Sequence, residues 1–164
     1  MISKRLIYYS IAILSLITID QTSKSYLILY LKTQPGYVFE ILPILDFVYV
    51  WNHGISFGLL REYYQYSNAA FLILNSIVIT YLIYLMLRAK TYLSQLGLIF
   101  IVGGALGNLA DRIFRGAVFD FFYFYYDNLA FPPFNMADSF ITIGTCFFIY
   151  NYSFYSKIIT KNNI

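Results

Sequence analysis

Four stretches of this sequence are long and apolar enough to cross a bilayer, and that constrains the fold more than any other feature. They lie at residues 6–30, 68–87, 92–113 and 134–155. A hydrocarbon core of ~30 Å takes about 20 helical residues. Composition agrees, with 60% of the 164 residues apolar and only 12% charged. Soluble domains carry about 25% charged residues, and a soluble chain of this length has too little interior for so much apolar surface. One domain, residues 1–164, is therefore expected, and it is an integral membrane domain.

Charge sets the orientation. Lys4, Arg5, Arg88, Lys90, Lys157 and Lys161 lie on the side of both termini and of the second-to-third connection, which carries no acid. All eight acids lie elsewhere. The positive-inside rule then puts both termini in the cytoplasm and leaves residues 32–66 and 114–133 outside. The apolar stretch after Lys4 and Arg5 has the look of a secretory leader. It runs into Asp20-Gln21-Thr22-Ser23-Lys24 and not into a small-residue cleavage site, so it reads as a retained first span. No Lys/Arg-rich run suits nucleic acid. The lone His53 and lone Cys146 exclude a His- or Cys-rich metal site. Cys146 reads as a small buried residue.

In the first outer segment, residues 37–42 and 47–51 are rich in β-branched and aromatic residues and are split by Pro43, which predicts two short strands. In the second, the aromatic residues 119–126 are broken only by Asp120, Asp127 follows at the end of the run, and Pro132-Pro133 precede the last span. The expected fold class is all-α membrane: a four-transmembrane-helix bundle with a small periplasmic β-sheet cradle and an outer aromatic loop.

Helical rise places the polar residues. At ~1.5 Å per residue, Asp20 stands roughly 22 Å above Arg5, Asn108 roughly 24 Å above Tyr92, and Asp138 roughly 28 Å above Lys157. Three spans thus deliver polar residues to one outer layer. Ionisable groups at such depth usually face the bundle interior. Asp20 and Lys24 share a helix face, as do Asn108, Asp111 and Arg112, and as do Asn135 and Asp138. Asn52 and Gly54 end the second predicted strand. The plainer readings are an interfacial ion pair for Asp20 and Lys24, helix packing for the GxxxG spacing of Gly103 and Gly107, and solvated loop positions for Glu40, Asp46, Glu62 and Asp127. Asp120 and Asp138 resist such readings. Neither has a basic sequence neighbour, and two carboxylates in a low-dielectric layer are costly unless they share a proton. A pair that shares a proton can hold a water, with one member as base and the other as acid.

Five motifs in order resemble the bacterial lipoprotein signal peptidases, or signal peptidases II. They are Asp20-Gln21-Thr22-Ser23-Lys24, Asn52-His53-Gly54-Ile55-Ser56-Phe57, the run from Gly103 and Gly104 through Asn108 to Asp111-Arg112, Val118-Phe119-Asp120-Phe121, and Phe134-Asn135-Met136-Ala137-Asp138-Ser139. The resemblance covers essentially the whole chain. It implies an intramembrane aspartic endopeptidase of the bacterial cytoplasmic (inner) membrane, with its active site on the periplasmic side. Its partners would be membrane lipid and prolipoproteins carrying a diacylglyceryl-cysteine, and it would cut just before that cysteine. It would work as a monomer with no cofactor and no metal. The implied catalytic residues are Asp120 and Asp138. Asn52, Gly54, Gly104, Asn108, Asp111, Arg112, Asn135 and Ala137 would bind substrate or support the pair, and Asp20 and Lys24 would hold the first span. His53 and Ser56 fall at variable places of the second motif. Two alternatives use the same residues: a small proton-coupled membrane transporter, which needs a polar path through the whole membrane depth, and a membrane assembly factor, which would tolerate loss of Asp120.

Overall fold

The computed structural model describes residues 4–54 and 64–162, and of residues 64–67 and 154–162 the backbone alone. Ile55-Ser56-Phe57, Arg61 and Glu62 lie outside the described residues. Four helices follow in order: α1 (Lys4–Leu31), α2 (Tyr64–Arg88), α3 (Tyr92–Phe114) and α4 (Met136–Asn162). Between α1 and α2 come β1 (Val38–Leu42) and β2 (Leu45–Asn52); between α3 and α4 come β3 (Val118–Tyr126) and β4 (Leu129–Ala130). Among the described residues, three helices are long and apolar enough to cross a membrane: α1, α2 from Asn68 to Arg88, and α3. α1 runs unbroken through the polar stretch 20–24.

No proline interrupts any of the four helices, so each ladder of backbone hydrogen bonds is complete within its own segment, as a bilayer demands. The Thr91 hydroxyl caps α3 by accepting from the Ser94 amide at 3.2 Å. α3 is the central element and touches the other three helices. Its apolar core combines Tyr9 and Leu16 of α1, Met86 of α2, Leu98 and Ile99 of α3, and Phe140 of α4. Leu29, Ile73, Ile77 and Phe114 point outward and remain exposed, the pattern of helices solvated by lipid.

α3 and α4 meet through small residues. A Cβ added to Gly97 would stand 2.8 Å from the Gly144 carbonyl oxygen, and one added to Gly104 would strike the Ala137 carbonyl oxygen. A Cβ on Gly103 would meet Leu16 of α1 at 2.7 Å. The packing reading of these glycines therefore holds, and Gly104 meets α4 at the residue before Asp138.

The four strands form one antiparallel sheet in the order β1-β2-β3-β4. The two predicted strands correspond to β1 and β2. The predicted outer aromatic loop does not: its residues form β3, paired with β2 from Leu45↔Phe124 to Asn52↔Val118. The start of β3 is buried on both faces, with Phe119 0% and Phe121 1% exposed, so it carries no polar–apolar alternation by which to recognise it. Its backbone groups are paired by β2, a partner some seventy residues away in sequence. Phe119 and Phe121 pack on Leu27 and Leu31 of α1, which seats the sheet on that helix end. Asp46, expected in solvent, is buried and accepts a hydrogen bond from the Tyr125 hydroxyl at 3.2 Å, because β3 covers it. Cys146, expected buried, is exposed on α4, because α3 packs on the Gly144 and Phe148 side of that helix.

Candidate active site

The site forms where β3 meets the first turn of α4. The Phe134 carbonyl accepts from the Phe121 and Phe122 amides at 3.0 and 2.8 Å, and the Phe134 amide donates to the Phe122 carbonyl at 3.1 Å. These bonds bring Asn135 beside Asp120. Asn135 also caps α4: its Oδ1 accepts from the Asp138 amide at 3.0 Å, and its own amide donates to Asp138 Oδ2 at 3.2 Å. This is a reciprocal capping box in which the helix cap and the candidate carboxylate are the same pair.

Asn135 joins the two aspartates. Its Nδ2 donates to Asp120 Oδ1 at 2.6 Å while its backbone amide reaches Asp138. Asn52 Nδ2 donates to the other Asp120 oxygen at 3.0 Å. The Asn52 amide is oriented in turn by Gly54, whose N–H donates to Asn52 Oδ1 at 2.8 Å. Gly54 has φ +80°, and a Cβ there would meet the Phe71 ring at 2.5 Å, so this turn takes glycine. On the α3 side, Asn108 Nδ2 donates to Asp138 Oδ1 at 2.8 Å.

Asp120 is 2% exposed. Burial, and then the neighbouring Asp138 charge, push its carboxyl up to about 6, against the lowering effect of the Asn52 and Asn135 hydrogen bonds and of Lys24. Asp120 thus exchanges its proton close to neutrality.

A second layer supports the first. Lys24, fully buried, sits 2.9 Å from Asp20 Oδ2 and 2.8 Å from Asp111 Oδ2, and donates to Asn108 Oδ1 at 3.1 Å. That bond leaves the Asn108 Nδ2 free for Asp138. Asp20 Oδ1 accepts from the Ala137 amide at 2.9 Å, fixing the start of α4 to α1. Asp111 accepts from the Phe119 amide at 3.2 Å, fixing β3 one residue before Asp120. Asp20 and Lys24 are therefore not an interfacial pair reaching water: the charges face inward because Asp111 and the α4 amide end complete their shell. Asp111 belongs to this layer and bonds neither aspartate of the site.

Arg112 is 8% exposed, with its guanidinium 4.9 Å from the Phe71 ring centre. Its Nε and Nη1 have no hydrogen-bond partner among the described residues. Buried donors of this kind are seldom left unpaired. The other predicted site residues lie in these two layers or in their packing. Two were missed. Arg115 bonds Asp111, donates to Gln21 Oε1 at 2.9 Å and to Ser25 at 3.0 Å, and Gln21 donates to the Gly107 carbonyl at 3.1 Å. The i,i+4 spacing of Asp111 and Arg115 was the available signal.

Comparison with known proteins places this site in context. A family model described as signal peptidase (SPase) II matches residues 12–154. The lipoprotein signal peptidase of Rickettsia felis is 54% identical over 149 residues, covering 91% of this chain and 76% of the relative. That of Rickettsia prowazekii is 50% identical over 151 residues, covering 92% and 78%. Among solved structures, a bacterial membrane enzyme determined by the in meso method at 1.9 Å resolution has a TM-score of 0.74 at 29% identity, covering 88% of this chain and 92% of its own.

Proposed function

Because the chain belongs to the signal peptidase II family and acts as a lipoprotein signal peptidase, we propose that Asp120 and Asp138 are its catalytic pair and that it is an aspartic endopeptidase. The observation that carries this is Asn135, one residue that hydrogen-bonds both carboxylates. Asp138, more open than Asp120 and already an acceptor of two N–H groups, acts as the base toward a water. Asp120, which burial keeps protonated up to about pH 6, donates its proton as the peptide nitrogen leaves. The pair titrates jointly, so its pH limbs belong to the dyad. The unpaired Arg112 donors and the Asn52 amide bind the substrate backbone near the scissile carbonyl.

The substrate is a prolipoprotein whose cysteine carries diacylglycerol, cut just before that cysteine. α4 is the fourth span, both termini are cytoplasmic, and the sheet lies at the periplasmic surface of the inner membrane. The enzyme works as a monomer. The polar residues named above gather at the sheet end, which favours hydrolysis over a transport path.

Cleavage of a diacylglyceryl-modified precursor by purified protein tests the reading. Asp120→Asn and Asp138→Asn should insert normally and each lose at least about a hundredfold in kcat, the scale of one acid–base group. Turnover by either variant within a few-fold of the parent would exclude the dyad.

A further inference from the structure

α1, α3, β2, β3 and the start of α4 supply the hydrogen bonds that hold Asp120, Asp138 and their surroundings. α2 meets the site differently, through Asn68 and Phe71, which lie one turn apart on one face of that helix. Asn68 Nδ2 donates to the Arg112 carbonyl at 3.4 Å. The Phe71 ring centre lies 4.9 Å from the guanidinium carbon of Arg112. The same ring lies against the turn after β2: a Cβ added to Gly54 would stand 2.5 Å from its Cε2 and 2.9 Å from its Cδ2. One apolar side chain thus touches both the cation of the site and the turn that aims Asn52 at Asp120.

The plain reading of Phe71 is helix packing, for which leucine would serve as well. Arg112 makes the aromatic ring matter. A guanidinium taken out of water needs something that attracts its charge. Among the described residues its Nε and Nη1 have no acceptor. A carboxylate in the place of the ring would take up those donors. An aromatic ring attracts the charge through its quadrupole and brings no oxygen. The cation is then held with its N–H groups still free for a substrate carbonyl.

We propose that Phe71 is a positioning residue of the reaction: its ring holds the Arg112 guanidinium with donors unspent and braces the Gly54 turn behind Asn52. The proposal rests on the peptidase reading above, in which Arg112 and Asn52 bind the substrate backbone.

Replacing Phe71 by mono-, di- and trifluorophenylalanine in the full chain tests it, because fluorine drains charge from the ring face and changes its shape little. Cleavage of a diacylglyceryl-modified precursor should lose kcat/KM stepwise, by about tenfold at three fluorines, within the range of a desolvated ring–cation contact. In an Arg112→Gln background the series should be flat. A flat series in the parent, or the same slope in both backgrounds, overturns the proposal; the same slope would assign the ring to packing alone. Thermal unfolding in detergent reads the same cycle without turnover. Fluorination should lower the midpoint of the parent and leave that of Arg112→Gln unchanged, and equal shifts in both would overturn the ring–cation contact. The brace has its own readout. Phe71→Leu slackens the Gly54 turn and weakens the Asn52 donation to Asp120, so the alkaline limb of kcat should move up. It should not move further when Phe71→Leu is added to Asn52→Ala. A limb that stays put in Phe71→Leu overturns the brace. Failure of the dyad is distinguishable. An active Asp120→Asn protein would sink the pair while the coupling seen in unfolding stood, and a flat fluorine series beside an inactive Asp120→Asn protein would sink the role of Phe71 alone.

Discussion

Asn52 shows how much one amide can decide. Its Oδ1 is tied to the Gly54 amide, so its Nδ2 faces Asp120. That donation favours the ionised carboxylate and pulls the Asp120 value down against burial. The sign of its removal follows. Asn52→Ala leaves burial and Asp138 to act with less opposition, so the Asp120 value rises above about 6. If Asp120 is the acid, activity is lost as pH rises through that value. The alkaline limb of kcat should therefore move up by roughly one pH unit, the size of a hydrogen bond to a charged group. The amplitude should fall as well, because Asn52 is also proposed to bind the substrate backbone. A pH profile of the purified variant checks this, and an alkaline limb that stays put removes Asp120 from the acid's role. Asn52 and Asp120 were each visible as candidates in the sequence. That they touch was not, because 68 residues separate them.

At the scale of elements, α3 and α4 form the rigid pair on which the site depends. Gly104 lies against the Ala137 carbonyl, and a carbonyl in a helix backbone cannot rotate away as a side chain can. Gly104→Ala should push the helices apart and cost about 1–3 kcal/mol, as overpacking of a tight core does. Thermal unfolding in detergent measures it; a melting curve matching the parent would mean that the two helices are not held at this distance. Activity should fall in parallel, since Ala137 is bonded to Asp20 and adjoins Asp138. The GxxxG spacing announced close helix packing, but not which helices or at which depth. β3 was missed for a related reason. Its start is buried on both faces, so neither shows the alternation that marks a half-buried strand.

Across the whole molecule, the charged layer around Lys24 links α1, α3, β3 and α4. Lys24 pairs with both Asp20 and Asp111, which are fully buried, and Arg115 gives Asp111 a second cation, while those two acids hold the α4 start and β3. Lys24→Met should leave the acids without their shared cation and destabilise the protein by about 3–5 kcal/mol. The triple change Asp20→Asn, Lys24→Met, Asp111→Asn should recover part of that loss, because it removes the charges together. Unfolding of the three proteins in the same detergent compares them, and equal stability of Lys24→Met and the parent would show that the cation is not needed.

The sequence by itself determined that the chain lives in a membrane, roughly where its helices run, and that Asp20, Asn108 and Asp138 share one layer. Those properties follow from hydropathy and helical rise, which are local. The ordered motifs carried the family. Only the tertiary structure decided that the two outer segments pair into one sheet, that Lys24 turns inward between two acids, that Arg115 reaches Gln21 across 94 residues, and that Asn135 bridges the aspartates. Each is a contact between distant segments, chosen because polar groups in an apolar layer must find partners. Spacing along the chain says that such partners are needed but not which ones the fold will supply.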